Sequence, residues 1–190
     1  MKIILGSASK KRKILLEEAG IIIDGIITAD IDEKAIRHES PIELVQVLAR
    51  AKREALRQRV TEPVLLITAD TVLFCGDELF EKPESPDEER KFFKSYDGKT
   101  EFGFATGITV TNTATGETRE AVDAGSCVMG PFSEEFIEEY IKKGEYKEYA
   151  GGFTYMDPAF SSLKFISGHA DSLMGISVEL VKKFLKELDI

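Results

Sequence analysis

The sequence predicts a mixed α/β fold whose sheet is partly antiparallel, and three observations carry that expectation. Two continuous apolar runs, Lys2–Leu5 and Val64–Thr68, read as buried strands. Two capping boxes, Ser40-Pro41-Ile42-Glu43 and Ser85-Pro86-Asp87-Glu88, mark helix starts with proline at the first helical position. Two long β-patterned runs, Glu101–Thr111 and Glu117–Met129, flank a turn at Thr113–Gly116. Strands and helices therefore mix without the strict alternation of a doubly wound fold.

The first strand gives way at once to Gly6-Ser7-Ala8-Ser9 and a helix from about Lys10 to Ala19, with Gly20 where a helix C-terminal glycine belongs. Ile21–Thr28 is a second strand-like run. The helix opened by Ser40 carries Leu44, Val45, Leu48, Ala51 and Ala55 at three- and four-residue spacing, which is its core stripe. Val64–Thr68 ends in Ala69-Asp70-Thr71, and Val72–Cys75 and Glu78–Phe80 form a short hairpin across Gly76-Asp77. The Ser85 helix runs to about Tyr96, with Gly98 after it. Ser133 starts a helix that ends at Gly144, and Ser177 starts the last, with Val178, Val181, Leu185 and Leu188 on one face.

At 190 residues, 43% hydrophobic and 31% charged, one domain over 1–190 is expected, with no Pro/Gly/Ser-rich linker to divide it. A net charge of −9 argues against a general binder of nucleic acid or anionic membrane, which needs surplus Lys and Arg. A small anion in a local basic pocket stays open. No apolar run approaches the length of about 20 residues that a spanning helix needs, and the N-terminal run is short and strand-like rather than a signal peptide. Two cysteines and two histidines are too few for a disulfide framework, a zinc site or a Ser-His-Asp triad. A reducing, cytoplasmic setting is the expectation.

Three places can carry chemistry. Gly6-Ser7-Ala8-Ser9-Lys10-Lys11-Arg12-Lys13 lies between a strand and a helix, where small residues permit close backbone approach and free N–H groups attract anions. Cations at a helix N-terminus oppose the dipole, so the run is either a solvated first turn or a site that an anion compensates. Lys52 lies beside the apolar stripe of its helix, seven residues after Val45; alone it reads as a stripe-edge lysine reaching water, otherwise as a cation aimed into a cleft. Asp70 ends a buried strand, where ligands collect in open α/β sheets, and a carboxylate there can hold Mg²⁺ or take a proton from water. An ordinary turn-forming Asp explains it equally well. Glu81-Lys82-Pro83 and Asp30-Ile31-Asp32-Glu33 are weaker, each also explicable as a polar loop.

Together these pieces resemble the Maf family of septum formation proteins and nucleoside triphosphate pyrophosphatases. The order is Leu5-Gly6-Ser7-Ala8-Ser9-Lys10-Lys11-Arg12, Asp30-Ile31-Asp32-Glu33, Leu48-Ala49-Arg50-Ala51-Lys52, Ala69-Asp70-Thr71-Val72 and Glu81-Lys82-Pro83. Asp97-Gly98-Lys99, Thr106-Gly107, Gly144-Glu145 and Ala150-Gly151-Gly152-Phe153 follow in register. The resemblance implies an inosine-triphosphatase-like α/β fold, with a long mixed central sheet flanked by helices and two lobes about a central cleft. It implies cleavage of a nucleoside triphosphate to monophosphate and pyrophosphate with a divalent cation, Mg²⁺ or Mn²⁺, and a homodimer. Asp70 becomes the general base or the holder of the attacking water, and Glu33 joins it on metal or water. Lys52 and Lys82 contact phosphates, and Ser7, Ser9, Lys11 and Arg12 bind the triphosphate.

This chain departs from the family pattern in places. Lys10-Lys11-Arg12 stands for Pro-Arg-Arg, which replaces a planar fork by a point charge at Lys11. Glu148-Tyr149 stands for Asp-Lys, and Tyr155-Met156-Asp157 for Ile-Gln-Gly, so Met156 takes the place of an amide expected to read the base. Thr71 resembles the members acting on dTTP and UTP. The resemblance leaves two alternatives: a non-catalytic nucleotide-binding regulator of septum formation, and a purine-directed inosine/xanthosine triphosphate pyrophosphatase.

Overall fold

The computed structural model describes residues 1–76 and 78–188. The sheet has seven strands: β1 (Lys2–Leu5), β2 (Gly25–Ile26), β3 (Val64–Cys75), β4 (Glu78–Phe80), β5 (Phe102–Asn112), β6 (Thr118–Val128) and β7 (Lys164–Ser167). Their order is β2-β1-β3-β5-β6-β7, with β4 paired to β3. β1 is parallel to both β2 and β3, whereas β4 and β7 are antiparallel to their partners. Hydroxyl contacts Thr68–Thr109 and Thr71–Thr106 step in opposite senses along β3 and β5, which makes that pair antiparallel too. The mixed sheet is as expected.

The helices are α1 (Lys10–Glu18), α2 (Pro41–Arg57), α3 (Pro86–Ser95), α4 (Glu134–Lys143), α5 (Ala170–Leu173) and α6 (Val178–Leu188). The hydroxyls of Ser9, Ser40, Ser85 and Ser133 each accept from a backbone N–H in the first turn that follows, so the helix starts read at Ser40, Ser85 and Ser133 are caps, and Ser9 is one as well. Gly144 closes α4 at φ +74°, the left-handed conformation that glycine adopts without strain.

The chain forms two compact units. The first comprises Met1–Thr71, Ala105–Asp123 and the C-terminal segment from Asp171; the second comprises Val72–Phe104 and Ala124–Ala170. In the first unit, Leu16 of α1 and Val181, Phe184 and Leu188 of α6 pack with Leu5, Leu65, Ile67 and Ala69. Alternate residues of β3 serve a different core: Val64 and Leu66 pack with Leu56 of α2. The second unit is held by aromatic rings, among them Phe80, Phe92, Phe93, Tyr96, Phe136, Tyr140 and Phe160.

Two expectations change. The run at 21–28 keeps only Gly25–Ile26 as strand, because Ile21 N–H closes α1 onto the Leu16 carbonyl and the Asp24 carboxylate accepts from Ile3 N–H. Asp70 does not end its strand; β3 continues as one twelve-residue strand to Cys75. What ends nearby is β1, whose last partner on β3 is Ile67. The β3–β4 hairpin forms, with Cys75 paired to Glu78, while Asp77 of its turn lies outside the described residues.

Candidate functional site

The site begins where β1 stops. Gly6 N–H bonds the Ile67 carbonyl at 2.7 Å and carries the chain off the end of the parallel ladder. The glycine is required by packing: a Cβ there would stand 2.6 Å from Leu56 Cδ1 and 2.8 Å from Thr68 Cγ2. Ser7, buried, accepts from Ser9 N–H at 3.2 Å, and Ser9 caps α1 by accepting from Arg12 N–H. These local bonds make a tight turn that delivers Arg12 to the end of β1.

Arg12 is fixed on all three of its nitrogens. Nε donates to the Gly175 carbonyl at 2.7 Å, Nη1 to Ser7 Oγ at 3.0 Å and Nη2 to Thr71 Oγ1 at 3.2 Å. All three acceptors are neutral oxygens. Burial pulls the guanidinium pKa down, and Asp70 and Glu33 oppose that through space. Among the described residues these bonds use three of its five N–H donors, so two can face a ligand.

Beside it, Lys52 of α2 bridges two carboxylates. Its Nζ donates in a short hydrogen bond to Asp70 Oδ1 and stands 3.1 Å from Glu33 Oε1. Lys52 does not snorkel: the residue is only 9% exposed, and Asp70 is 7% exposed. Strand alternation explains the pairing. Leu66, Thr68 and Asp70 share one face of β3, where Thr68 Oγ1 donates to the Ala49 carbonyl of α2 at 2.7 Å. Asp70 is the next residue on that face, and Lys52 is one turn beyond Ala49. Glu33 arrives from a short 3₁₀ turn, Glu33–Ala35, capped by Asp32, whose carboxylate accepts from Ala35 N–H at 3.2 Å. Burial raises the Asp70 pKa; Lys52 and Arg12 pull it down and Glu33 adds to the rise, with the net direction upward.

The structure thus brings together Ser7, Arg12 and Thr71 in one hydrogen-bonded set, and Lys52, Asp70 and Glu33 in another, within the first unit. Ser9 is a helix cap, and Lys11 is half-buried in the first turn of α1. Lys82 and Met156 belong to the second unit and are exposed there. Sequence reasoning left Gly175 without a role and gave Thr106 none beyond its motif. The former presents a carbonyl and the latter a buried hydroxyl, neither of which shows in a side-chain pattern.

Among the described residues no group of three or more His, Cys, Asp or Glu side chains is placed to hold a metal ion. The donor set at hand is Asp70 and Glu33, two hard carboxylates. Mg²⁺ and Mn²⁺ accept one or two carboxylates and complete their shell with water and phosphate oxygens, so these residues fit such an ion. A closed protein cage is not what they form.

A family model described as Maf-like protein matches residues 2–188. The chain belongs to the Maf-like protein family. Among its curated relatives is a 7-methyl-GTP pyrophosphatase of Dictyostelium discoideum, 31% identical, with 98% of this chain and 96% of that protein covered. A nucleoside triphosphate pyrophosphatase of Thermosynechococcus vestitus is 32% identical over 97% of this chain and 92% of that one. A dTTP/UTP pyrophosphatase of Gluconobacter oxydans is 30% identical, with coverage of 92% and 81%. Among solved structures, a HAM1 protein from Coxiella burnetii has 14% identity and a TM-score of 0.44 over 70% of this chain and 74% of that one. Membership in the Maf-like family rests on the family model and the curated relatives.

Proposed function

We propose that this Maf-like protein is a nucleoside triphosphate pyrophosphatase that cleaves the bond between the α- and β-phosphates, releasing a nucleoside monophosphate and pyrophosphate. The observation that carries the reading is Arg12: a guanidinium clamped by three neutral oxygens, with donors to spare, beside the Lys52–Asp70–Glu33 cluster. A cation with no contacting counter-charge among the described residues, at the start of a helix, suits an anionic ligand. The pyrophosphatase names of the relatives support the same chemistry.

In this reading Arg12 and Lys52 bind phosphate oxygens, Ser7 donates its hydroxyl proton to the same group, and Lys82 and Lys11 add charge. Asp70 accepts a proton from the attacking water as its oxygen bonds the α-phosphorus; the bond to the bridging oxygen breaks and pyrophosphate departs. Lys52 keeps Asp70 ionised until then and can transfer its own donors to the phosphate. Mg²⁺ or Mn²⁺, held by Asp70 and Glu33, would neutralise phosphate charge. The family resemblance assigns Thr71 and Met156 to base choice, with dTTP, UTP and modified nucleotides as the candidate substrates. A homodimer and a cytoplasmic setting belong to the same reading.

The test is a panel of ordinary and modified triphosphates with Mg²⁺ or Mn²⁺ and product identification. Monophosphate plus pyrophosphate is the expected outcome. Diphosphate plus orthophosphate would overturn the bond assignment, and binding without turnover across the panel would favour a regulator.

A further inference from the structure

Behind the oxygens that hold the Arg12 guanidinium stands a second layer of hydrogen bonds. Thr71 Oγ1, which accepts from Arg12 Nη2, lies 2.8 Å from Thr106 Oγ1 on β5. Thr106 Oγ1 in turn lies 2.7 Å from the Ser172 carbonyl. A carbonyl has no proton to give, so the single Thr106 proton goes to Ser172. Thr71 must then be the donor to Thr106, which leaves the Thr71 oxygen with lone pairs facing Arg12. The relay has one direction only: Arg12 to Thr71 to Thr106 to Ser172. Thr106 and Ser172 are fully buried, where such a chain is strong and costly to leave incomplete.

The same loop supplies the second hold. Asp171 Oδ1 accepts from Ser172 N–H at 3.0 Å and Oδ2 from Val178 N–H at 2.8 Å, while Ile176 N–H bonds the Asp171 carbonyl at 3.0 Å. These bonds fix the turn that presents the Gly175 carbonyl to Arg12 Nε. Gly175 is at φ +119°, and a Cβ there would stand 3.1 Å from Nε itself. Ser172 Oγ also donates in a short bond to Asp123, tying the loop to β6.

We propose that Thr106, acting through Thr71, and Asp171, acting through Gly175, are positioning residues that orient Arg12 for the triphosphate. This rests on the pyrophosphatase reading for its kinetic consequence but not for its structural one. The test therefore has two readouts. In the free protein, the Arg12 Nε–H resonance, assigned by its loss in Arg12→Lys, is expected to exchange slowly with water because Nε is held on the Gly175 carbonyl. Thr106→Val, nearly isosteric, is expected to speed that exchange, and Thr106→Ser, which keeps the hydroxyl, to restore it. With triphosphate and Mg²⁺, Thr106→Val is expected to raise KM about fivefold, the worth of roughly one hydrogen bond, with kcat changed less. In an Arg12→Lys background the same substitution should add nothing, because the planar fork it orients is gone.

Exchange and KM both unchanged in Thr106→Val would overturn the proposal, as would an undiminished effect in the Arg12→Lys background. Should Thr106→Val not fold, Asp171→Asn puts an amide against one of two N–H donors, and the same exchange and KM shifts are expected. Their absence overturns the proposal equally. If no triphosphate is turned over by the wild type yet the exchange pattern holds, the pyrophosphatase reading falls and the positioning of Arg12 stands.

Discussion

Asp70 is pulled two ways by its surroundings, and the balance sets the pH at which it can accept a proton. Burial favours the neutral acid, Lys52 and Arg12 favour the carboxylate, and the net shift is upward. A base works only when ionised, so kcat/KM should fall as pH drops through a value above the ordinary aspartate range. Replacing Lys52 by Met removes a counter-charge and raises the Asp70 pKa further. The acid limb of the pH profile should then move to higher pH, with a lower plateau because a phosphate contact is also gone. Asp70→Asn should keep the fold and triphosphate binding while losing about 10²-fold or more in turnover. A Lys52→Met profile superposable on the wild type would remove Asp70 as the titrating base. At this scale the sequence held half the answer. Asp70 and Lys52 stood out as residue types, but a stripe-edge lysine and a buried one have the same helical spacing. What separates them is the pair of carboxylates that folding brings from 18 and 19 residues away in the chain.

At the scale of elements, the strand–turn–helix at Gly6–Arg12 works only if the turn lies close against α2 and β3. Gly6→Ala would push a methyl group into Leu56 Cδ1 and Thr68 Cγ2. Leu56 has some freedom, but Thr68 is β-branched and its hydroxyl is tied to the Ala49 carbonyl and Thr109. The expected cost is about 1–3 kcal/mol, read as a Tm lowered by roughly 2–4 °C per kcal/mol in a chain of this size. Displacing Ser7 and Arg12 together should also raise KM for triphosphate. An unchanged Tm and KM would show that the turn relaxes freely. Element boundaries were legible wherever a hydroxyl caps a helix, since Ser9, Ser40, Ser85 and Ser133 bond the N–H groups their positions imply. They were not legible where a tertiary partner rescues a poor local residue. Asp70 reads as a strand end by propensity, yet Lys52 neutralises it and β3 runs on. The stretch from Glu145 to Phe160 has only 3₁₀ turns, Glu145–Glu148, Ala150–Gly152 and Pro158–Phe160, and no periodicity announces such pieces.

The net charge of −9 describes a surface, and the molecule as a whole also carries acid where no surface is. Glu89 sits on α3 in step with Phe92 and Phe93, fully buried, and among the described residues neither carboxylate oxygen has a hydrogen-bond partner. Its carboxylate lies against the backbone of Gly152, where a Cβ would stand 1.9 Å from Oε2. Burial, with a smaller push from Glu88, moves its pKa from 4.5 up to about 8. Tyr96 and Tyr140 of the same aromatic cluster are raised too, partly by Glu89. The folded state therefore binds the Glu89 proton more tightly than the unfolded state. Its contribution to stability is complete below about pH 4.5, is lost as pH rises to about 8, and changes no further above that. At its full extent the loss is on the order of 2–4 kcal/mol, allowing for some water at the carboxylate. Wild-type Tm should decline between pH 5 and pH 8, and Glu89→Gln, which cannot ionise, should flatten the decline. Glu89→Leu should be the more stable protein at pH 9, because it replaces an unpaired buried charge by an apolar group among aromatic rings. Asp70 shares the sign of this effect, so Asp70→Asn is the control that separates the two contributions. Parallel Tm curves for wild type and Glu89→Gln across that window would mean that the Glu89 carboxylate reaches water on ionising, and that the aromatic cluster opens around it at little cost.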